Sequence, residues 1–201
     1  MAVNTSPRPN LGSGAIKFID GIAFEGLGSA GFDDNDLLIT GDDLDNILQG
    51  GAGHDEIEGG AGNDVLKGGA GNGILRGDAG NDDLDGQSGT EKLFGGDGND
   101  ILRAGDGYDR LSGGSGADTF GFYGAGHFEI SDFSISEGDR LFFDSSILGI
   151  HTLTELVSYI TKVTDNGNNG FTVEFVGGAA TIELVGVNIN AITADMIVFH
   201  L

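Results

Sequence analysis

An all-β fold, a parallel β-roll closed by a small β-rich C-terminal cap containing one helix, is predicted by three observations. Residues 50–121 read as eight uninterrupted nonapeptides, from GGAGHDEIE and GGAGNDVLK through to GGSGADTFG. Position 4 is always Gly (Gly53, Gly62, Gly71, Gly80, Gly89, Gly98, Gly107, Gly116), and position 8 is always apolar (Ile57, Leu66, Leu75, Leu84, Leu93, Leu102, Leu111, Phe120). Position 6 is Asp at Asp55, Asp64, Asp82, Asp100, Asp109 and Asp118, and is otherwise Gly73 or Glu91.

The period selects the element. A nine-residue unit is too short for a helix pair, and one apolar residue per unit cannot make an amphipathic helix, so each unit is a turn plus a short strand. Positions 7 to 9 form the strand, with position 8 inward and its neighbours facing solvent. Positions 1 to 6 form a turn in which glycines permit positive φ and let carbonyls converge. Two units complete one 18-residue coil, flattened into two parallel sheets around a ladder of position-8 side chains.

One apolar side chain per nine ordered residues is a thin core, too little burial to hold the fold unaided. The turns supply the missing stabilisation. Stacked position-6 carboxylates beside loop carbonyls form an all-oxygen set that suits a hard cation of calcium size, which would be ligand and glue together.

These repeats resemble the RTX (repeats-in-toxin) proteins, whose GGxGxDxUx nonapeptide builds a calcium-binding parallel β-roll. The likeness extends over about residues 35–201. ADTFGF, EISDF, EGDRLFF and the terminal IELVGVNINAITADMIVF are similar to C-terminal parts of secreted RTX proteins, including the non-catalytic R-modules of mannuronan C-5-epimerases and the tails of serralysin-type proteases. The resemblance implies several Ca²⁺ ions (about 3 to 6), export by type I secretion machinery, and an extracellular location. Where relatives carry Gly-His-Asp, this chain has Gly126, His127 and Phe128, which removes a carboxylate. Asp132 and Asp139 remain as candidates nearby. Asp195 followed by MIVF is similar to a type I secretion signal, and reads equally as a last strand packed on the cap.

Repeats two apart stack on one side, so the coil has two unlike edges. One carries Asp64, Asp82, Asp100 and Asp118, an unbroken column; the other carries Asp55, Gly73, Glu91 and Asp109. Gly73 brings no carboxylate and Glu91 is a methylene longer than the turn accommodates, so this second edge is expected to bind fewer or weaker ions, unless carbonyls and water compensate. The expected metal set is Asp64, Asp82, Asp100, Asp118, Asp55 and Asp109, with backbone oxygens of Gly60, Gly62, Gly80, Gly96, Gly98, Gly114 and Gly116.

Composition is consistent with this reading. A net charge of −23, from 32 acidic and 9 basic side chains, would repel itself in a compact state and be relieved by bound cations. It disfavours nucleic acid as a partner. There is no cysteine, so no disulfide contributes. No apolar run is long enough to span a membrane, and the start lacks the order of a signal peptide.

Three regions follow: a lead and N-terminal cap over 1–31, the roll over 32–121, and a capping, secretion-signal region over 122–201. Residues 1–10, with Pro7 and Pro9, read as a disordered lead, and AIKFIDGIAF (15–24) as one or two strands covering the first coil. Over 32–49 the repeat is degenerate. Leu38 and Leu48 are ten apart, which suggests a one-residue insertion, and Asn46 falls where Asp would sit below Asp64; Asp42, Asp43 and Asp45 form either a weaker site or a solvated acidic cap.

In the C-terminal region 128–133 and 139–143 look like strands. Thr152 to Glu155 fits a capping box, starting a helix to about Lys162 through Leu153, Leu156, Val157 and Ile160. DNGNNG (165–170) is a turn; FTVEF (171–175) and ATIELV (180–185) are strands joined through Gly177 and Gly178.

No HExxH, GxSxG or Walker motif is present, and His54, His127, His151 and His200 lack metal spacing, so the chain does not read as an enzyme. Arg76, Lys92 and Arg110 fall on three neighbouring strands with Phe94 beside them. This patch is either a solvated face or, as the R-module resemblance implies, a site for a polyanionic sugar such as alginate. On the other sheet Lys67, Asp85 and Arg103 alternate in sign, as cross-strand pairing would have it.

Overall fold

The computed structural model describes residues 15–18, 23–25 and 36–200. Its strands are β1 (Ala15–Phe18), β2 (Ala23–Glu25), β3 (Leu37–Thr40), β4 (Ile47–Gly53), β5 (Glu56–Ala61), β6 (Val65–Gly71), β7 (Ile74–Ala79), β8 (Asp83–Gly89) and β9 (Lys92–Asp97). β10 (Ile101–Arg103), β11 (Asp106–Ser115), β12 (Thr119–Phe122), β13 (Gly126–Ile130) and β14 (Arg140–Phe143) continue the coil. Helices α1 (Ser145–Leu148) and α2 (Leu153–Tyr159) precede β15 (Ile160–Asp165), β16 (Gly170–Phe175), β17 (Ala180–Val185) and β18 (Ile197–Val198).

Alternate strands share a sheet. β1, β3, β5, β7, β9, β11, β13 and β17 lie parallel, each on the next. β4, β6, β8, β10, β12, β14 and β18 form the other parallel sheet. β2 runs antiparallel on β1 at the N-terminal end, while β17, β16 and β15 make an antiparallel meander at the other. The strands expected near residues 15–24 are therefore present; residues 1–10 lie outside the described residues.

Position 8 faces inward throughout. Ile57, Leu66, Leu75, Leu84, Leu93, Leu102, Leu111 and Phe120 are buried in one ladder, which Ile39 and Leu48 extend backwards. Ile39 pairs with Ile57, and Leu38 with Glu56. The inward residue is thus Ile39, nine before Leu48, and no residue is inserted; the adjacent leucine misleads because both residues are apolar. Toward the cap the aliphatic ladder gives way to rings, with Phe122 centred 5.3 Å from Phe128 and 5.5 Å from Phe143.

Several strands are longer than three residues. In β6 pairing with β4 continues from Val65 to Gly71, because stacked turns keep the same spacing and ladder bonds run on around the corner. The cap holds two short α-helices among the described residues, one more than expected. α1 starts at Asp144, whose Oδ1 accepts the Ser146 N–H at 2.9 Å, and ends at Gly149 with φ 66°. α2 has the expected Thr152–Glu155 capping box but ends at Tyr159, since the β-branched run after it pairs with β16 as a strand.

Candidate metal-binding edges

The stacked coils turn each Asp of the Asp64 edge into a bridge. The N–H of Asp64 donates to Asp82 Oδ1 at 2.7 Å, that of Asp82 to Asp100 Oδ1 at 2.8 Å, and that of Asp100 to Asp118 Oδ1 at 2.9 Å. Asn46 enters the column through its N–H on Asp64 Oδ1 at 2.8 Å, and Asp139 ends it by accepting the Asp118 N–H at 2.9 Å. Each Asp thus uses Oδ1 to tie its coil to the one before. Oδ2 of Asp64, Asp82, Asp100 and Asp118 is buried with no hydrogen-bond partner. A buried carboxylate oxygen left so is costly unless a cation meets it.

The surroundings of these oxygens fit a cation. A Cβ added at Gly77 would run into Asp82 Oδ2 and the Gly95 carbonyl, and one at Gly59 into Asp64 Oδ2 and the Gly77 carbonyl. Only glycine leaves that cradle open. Among the described residues no three carboxylate or imidazole side chains converge on one point, so an ion at this edge must draw on carbonyls as well as carboxylates, the donor set of a hard cation such as Ca²⁺. Burial raises Asp64 and Asp118 to about 6 and Asp100 to about 7, and raises Asp82 in the same direction. Neighbouring carboxylates, Asp82 for Asp64 and Asp118 for Asp100, add to the effect.

The Asp55 edge is built differently. Asp55 Oδ1 accepts the Leu37 N–H at 2.8 Å, Gly73 contributes no side chain, and Asp109 Oδ1 accepts the Glu91 N–H at 2.9 Å. Glu91 is not excluded by its extra methylene; it is folded inward and buried. Burial, then its contact with Asp109, raises Glu91 to about 9, and Glu91 Oε2 and Asp109 Oδ2 are buried without a hydrogen-bond partner, as the Oδ2 atoms of the other edge are. Beyond Asp109 the column closes with Phe128, its strand partner, which is fully buried.

Asp132 and Asp139 have both oxygens in hydrogen bonds. Asp132 accepts the N–H groups of Gly113 and Gly114, both at 3.0 Å, and the Ser112 hydroxyl at 2.6 Å. Asp139 Oδ2 accepts the Ser134 N–H at 2.7 Å. At the other end, Asn46 Oδ1 accepts the Asp42 N–H at 2.9 Å, and Asp45 Oδ1 the Asn63 N–H at 2.7 Å, while Asp43 is exposed.

A second column runs beside the carboxylates, one that the nonapeptide pattern alone does not announce. At position 5 the Asn81 N–H donates to Asn63 Oδ1, the Asn99 N–H to Asn81 Oδ1 and the Ala117 N–H to Asn99 Oδ1, each at 2.8 Å. Its signal in the sequence is the asparagine before the Asp in successive repeats of this edge.

The basic residues are mostly engaged. The Arg76 guanidinium lies 4.8 Å over the Phe94 ring and 3.9 Å from Glu56, and Arg110 pairs with Glu129 at 2.6 Å. Lys92, the strand partner of Arg110, has no ion pair among the described residues. On the opposite sheet Lys67, Asp85 and Arg103 are register neighbours, but Arg103 pairs with Asp83 instead and Asp85 accepts the Tyr123 hydroxyl. The histidines do not gather: His54 Nδ1 meets the Asn72 carbonyl at 3.3 Å, His127 lies 3.9 Å from Glu183, and His200 Nδ1 is 3.1 Å from Ser145 Oγ.

Residues 40–75, 66–90 and 94–121 match the RTX calcium-binding nonapeptide repeat, described as four copies. The roll is therefore a calcium-binding RTX β-roll. Among solved structures, the chain is similar to the AlgE6R3 and AlgE6R2 subunits of the Azotobacter vinelandii mannuronan C5-epimerase. The first aligns at 26% identity with a TM-score of 0.40, over 77% of this chain and 79% of that one. The second aligns at 28% with a TM-score of 0.35, over 80% and 91%. The extracellular lipase LipA of Serratia marcescens aligns at 18% identity with a TM-score of 0.34, over 85% of this chain, which spans 41% of the lipase. No curated protein matches the chain.

Proposed function

We propose that this chain is a non-catalytic module of a secreted protein, exported through type I secretion machinery and folded by Ca²⁺ outside the cell, where it serves folding, export or attachment. The observation that carries this reading is the column of buried, partnerless Oδ2 atoms on Asp64, Asp82, Asp100 and Asp118. In a calcium-poor cytoplasm these four carboxylates oppose the compact state; at extracellular calcium they hold it together. Asp64, Asp82, Asp100 and Asp118, with glycine carbonyls of the same turns, would hold the ions, and the bound cation would supply charge neutralisation and cross-linking of coils. Calcium titration followed by far-UV circular dichroism tests it: the calcium-free chain is expected to be largely unfolded and to gain β signal as Ca²⁺ is added. A calcium-free chain with full β signal would overturn it.

A second reading, polysaccharide attachment, is favoured by one observation. Phe94 is partly exposed with the Arg76 guanidinium over its ring, next to Lys92 and Arg110. A polyuronate that binds the wild type and an Arg76→Ser, Lys92→Ser, Arg110→Ser variant equally would remove this reading.

A further inference from the structure

Position-5 backbone N–H groups meet two kinds of acceptor, and on the Asp55 edge both occur: the His54 N–H donates to Asp36 Oδ1 at 2.6 Å. On the Asp55 edge the Thr90 N–H donates to the Gly71 carbonyl at 3.0 Å, so a position-5 amide consumes the position-4 carbonyl of the coil below. On the Asp64 edge the equivalent amides of Asn81, Asn99 and Ala117 donate instead to the side-chain oxygens of Asn63, Asn81 and Asn99. The carbonyls of Gly62, Gly80 and Gly98 therefore receive no backbone N–H among the described residues. Each faces the next coil, where a Cβ at Gly80, Gly98 or Gly116 would collide with it.

We infer that Asn63, Asn81 and Asn99 are positioning residues for calcium, which divert the position-5 N–H groups and so keep the Gly62, Gly80 and Gly98 carbonyls available as ligands. This rests on the calcium reading above and deepens it by assigning which edge, and which gaps, take the ion. A carbonyl already accepting a ladder N–H is a poorer donor to a cation and is turned along the hydrogen bond. An amide side chain accepting that N–H removes the competition, and because its own Nδ2 reaches the Oδ1 of the coil below, at 3.2 Å for Asn81 on Asn63 and for Asn99 on Asn81, the row is self-aligning. Asp45 plays the same part for the Asn63 N–H at 2.7 Å, which shows that an Oδ1 at this position suffices. Beneath Thr90 stands Asn72, and there the amide donates to the Gly71 carbonyl, so the unbroken row of amide acceptors belongs to the Asp64 edge. Ala117 ends the row, and one coil further the column itself ends at Asp139, whose oxygens are filled by protein N–H groups.

Substitutions within the row test the assignment. Asn81→Ala should let the Asn99 N–H fall onto the Gly80 carbonyl and weaken calcium binding at that gap about tenfold, the usual cost of removing a residue that supports a metal ligand. Asn81→Asp keeps the acceptor and should bind within about twofold of wild type. Asn81→Thr should resemble Asn81→Ala, and Asn72→Ala, on the Asp55 edge, should leave the titration unchanged. The measurement is isothermal titration with Ca²⁺, together with the amide proton shift of residue 99, which reports its acceptor directly. Asn63→Ala provides an independent gap should Asn81→Ala fail to fold even at saturating calcium. Loss in the Ala and Thr variants with retention in Asn81→Asp supports the assignment. An Ala variant that titrates like wild type, or an Asn81→Asp variant that falls as far as Asn81→Ala, overturns it while leaving the calcium reading intact. A wild-type chain that takes up no Ca²⁺ overturns both.

Discussion

The two edges of the roll share one backbone and solve one electrostatic problem in different ways. The Asp64 edge stacks four carboxylates, each with one oxygen bonded along the column and one buried without a partner. The Asp55 edge breaks its column at Gly73 and buries Glu91 beside Asp109, where each carboxyl again keeps one oxygen without a partner. One edge is an unbroken column of four such carboxylates; the other has a gap and one closely packed pair. A repeat can therefore keep its strand and its turn without a position-6 Asp, because position 8 builds the core and position 6 does not.

The largest expected difference comes from removing carboxylates. Asp82→Ala with Asp100→Ala should abolish the calcium-induced β signal at concentrations that fold the wild type. Asp55→Ala with Asp109→Ala should leave most of that signal, and circular dichroism during calcium titration compares the two. Equal losses would mean that both edges take the ion alike. The reverse experiment is to complete the poorer edge. A Cβ at Gly73 would meet the Asp55 carbonyl at 3.3 Å and Leu75 Cδ1 at 3.5 Å, so a side chain fits there with a small shift. Gly73→Asp, Glu91→Asp and Thr90→Asn together should raise the calcium count by about one or more ions, read by titration calorimetry.

Acid separates the edges next. In the calcium-free protein the raised carboxyls hold protons more tightly folded than unfolded, so their contribution to stability is full below their ordinary values near 3.8 and is lost as pH rises through the folded values. For the Asp64 edge that loss falls at about 6 to 7; for Glu91 it falls at about 9. Lowering the pH from about 8 to 5 without calcium should accordingly increase β signal, with a midpoint set by the Asp64 edge. Glu91→Gln should leave that midpoint in place and remove the loss at higher pH. A calcium-free chain that loses structure on acidification would contradict the burial of this column.

Much of this architecture is legible in the sequence, for reasons that also mark where sequence reasoning fails. The coil period, the inward ladder and the unequal edges are readable because each depends on residues nine or eighteen apart. Ile39 is easily missed because Leu38 and Ile39 are both apolar and only stacking on Ile57 distinguishes them. α1 is four residues long and has no periodicity to detect. The length of Glu91 says that it does not fit the turn as Asp does, whereas in the fold it turns inward and is buried beside Asp109, which raises its pKa. The asparagine row stands in plain view, but a position that tolerates His54, Thr90 and Tyr108 elsewhere gives no reason to assign it a role.

The smallest difference concerns two strained residues. Asp78 and Gln87 hold the second turn position with φ 72° and 73°, where Gly60, Gly69 and Gly96 stand in neighbouring coils. A left-handed backbone costs a residue with a Cβ about 1 kcal/mol, offset in part by the extra freedom glycine has when unfolded. Gln87→Gly, on the Asp55 edge, should therefore stabilise the folded protein by about 0.5 kcal/mol through strain alone. Asp78→Gly, on the Asp64 edge, should gain more without calcium, since the Asp78 charge also opposes ionisation of Asp82. Thermal melts in low and high salt separate the two parts: the excess of Asp78→Gly over Gln87→Gly should shrink as salt screens the charge. With calcium bound, that excess should vanish or reverse, because a second carboxylate beside Asp82 then faces a cation. An excess that survives both salt and calcium would show that Asp78 acts through its backbone alone, and that the Asp64 edge draws nothing from carboxylates outside its column.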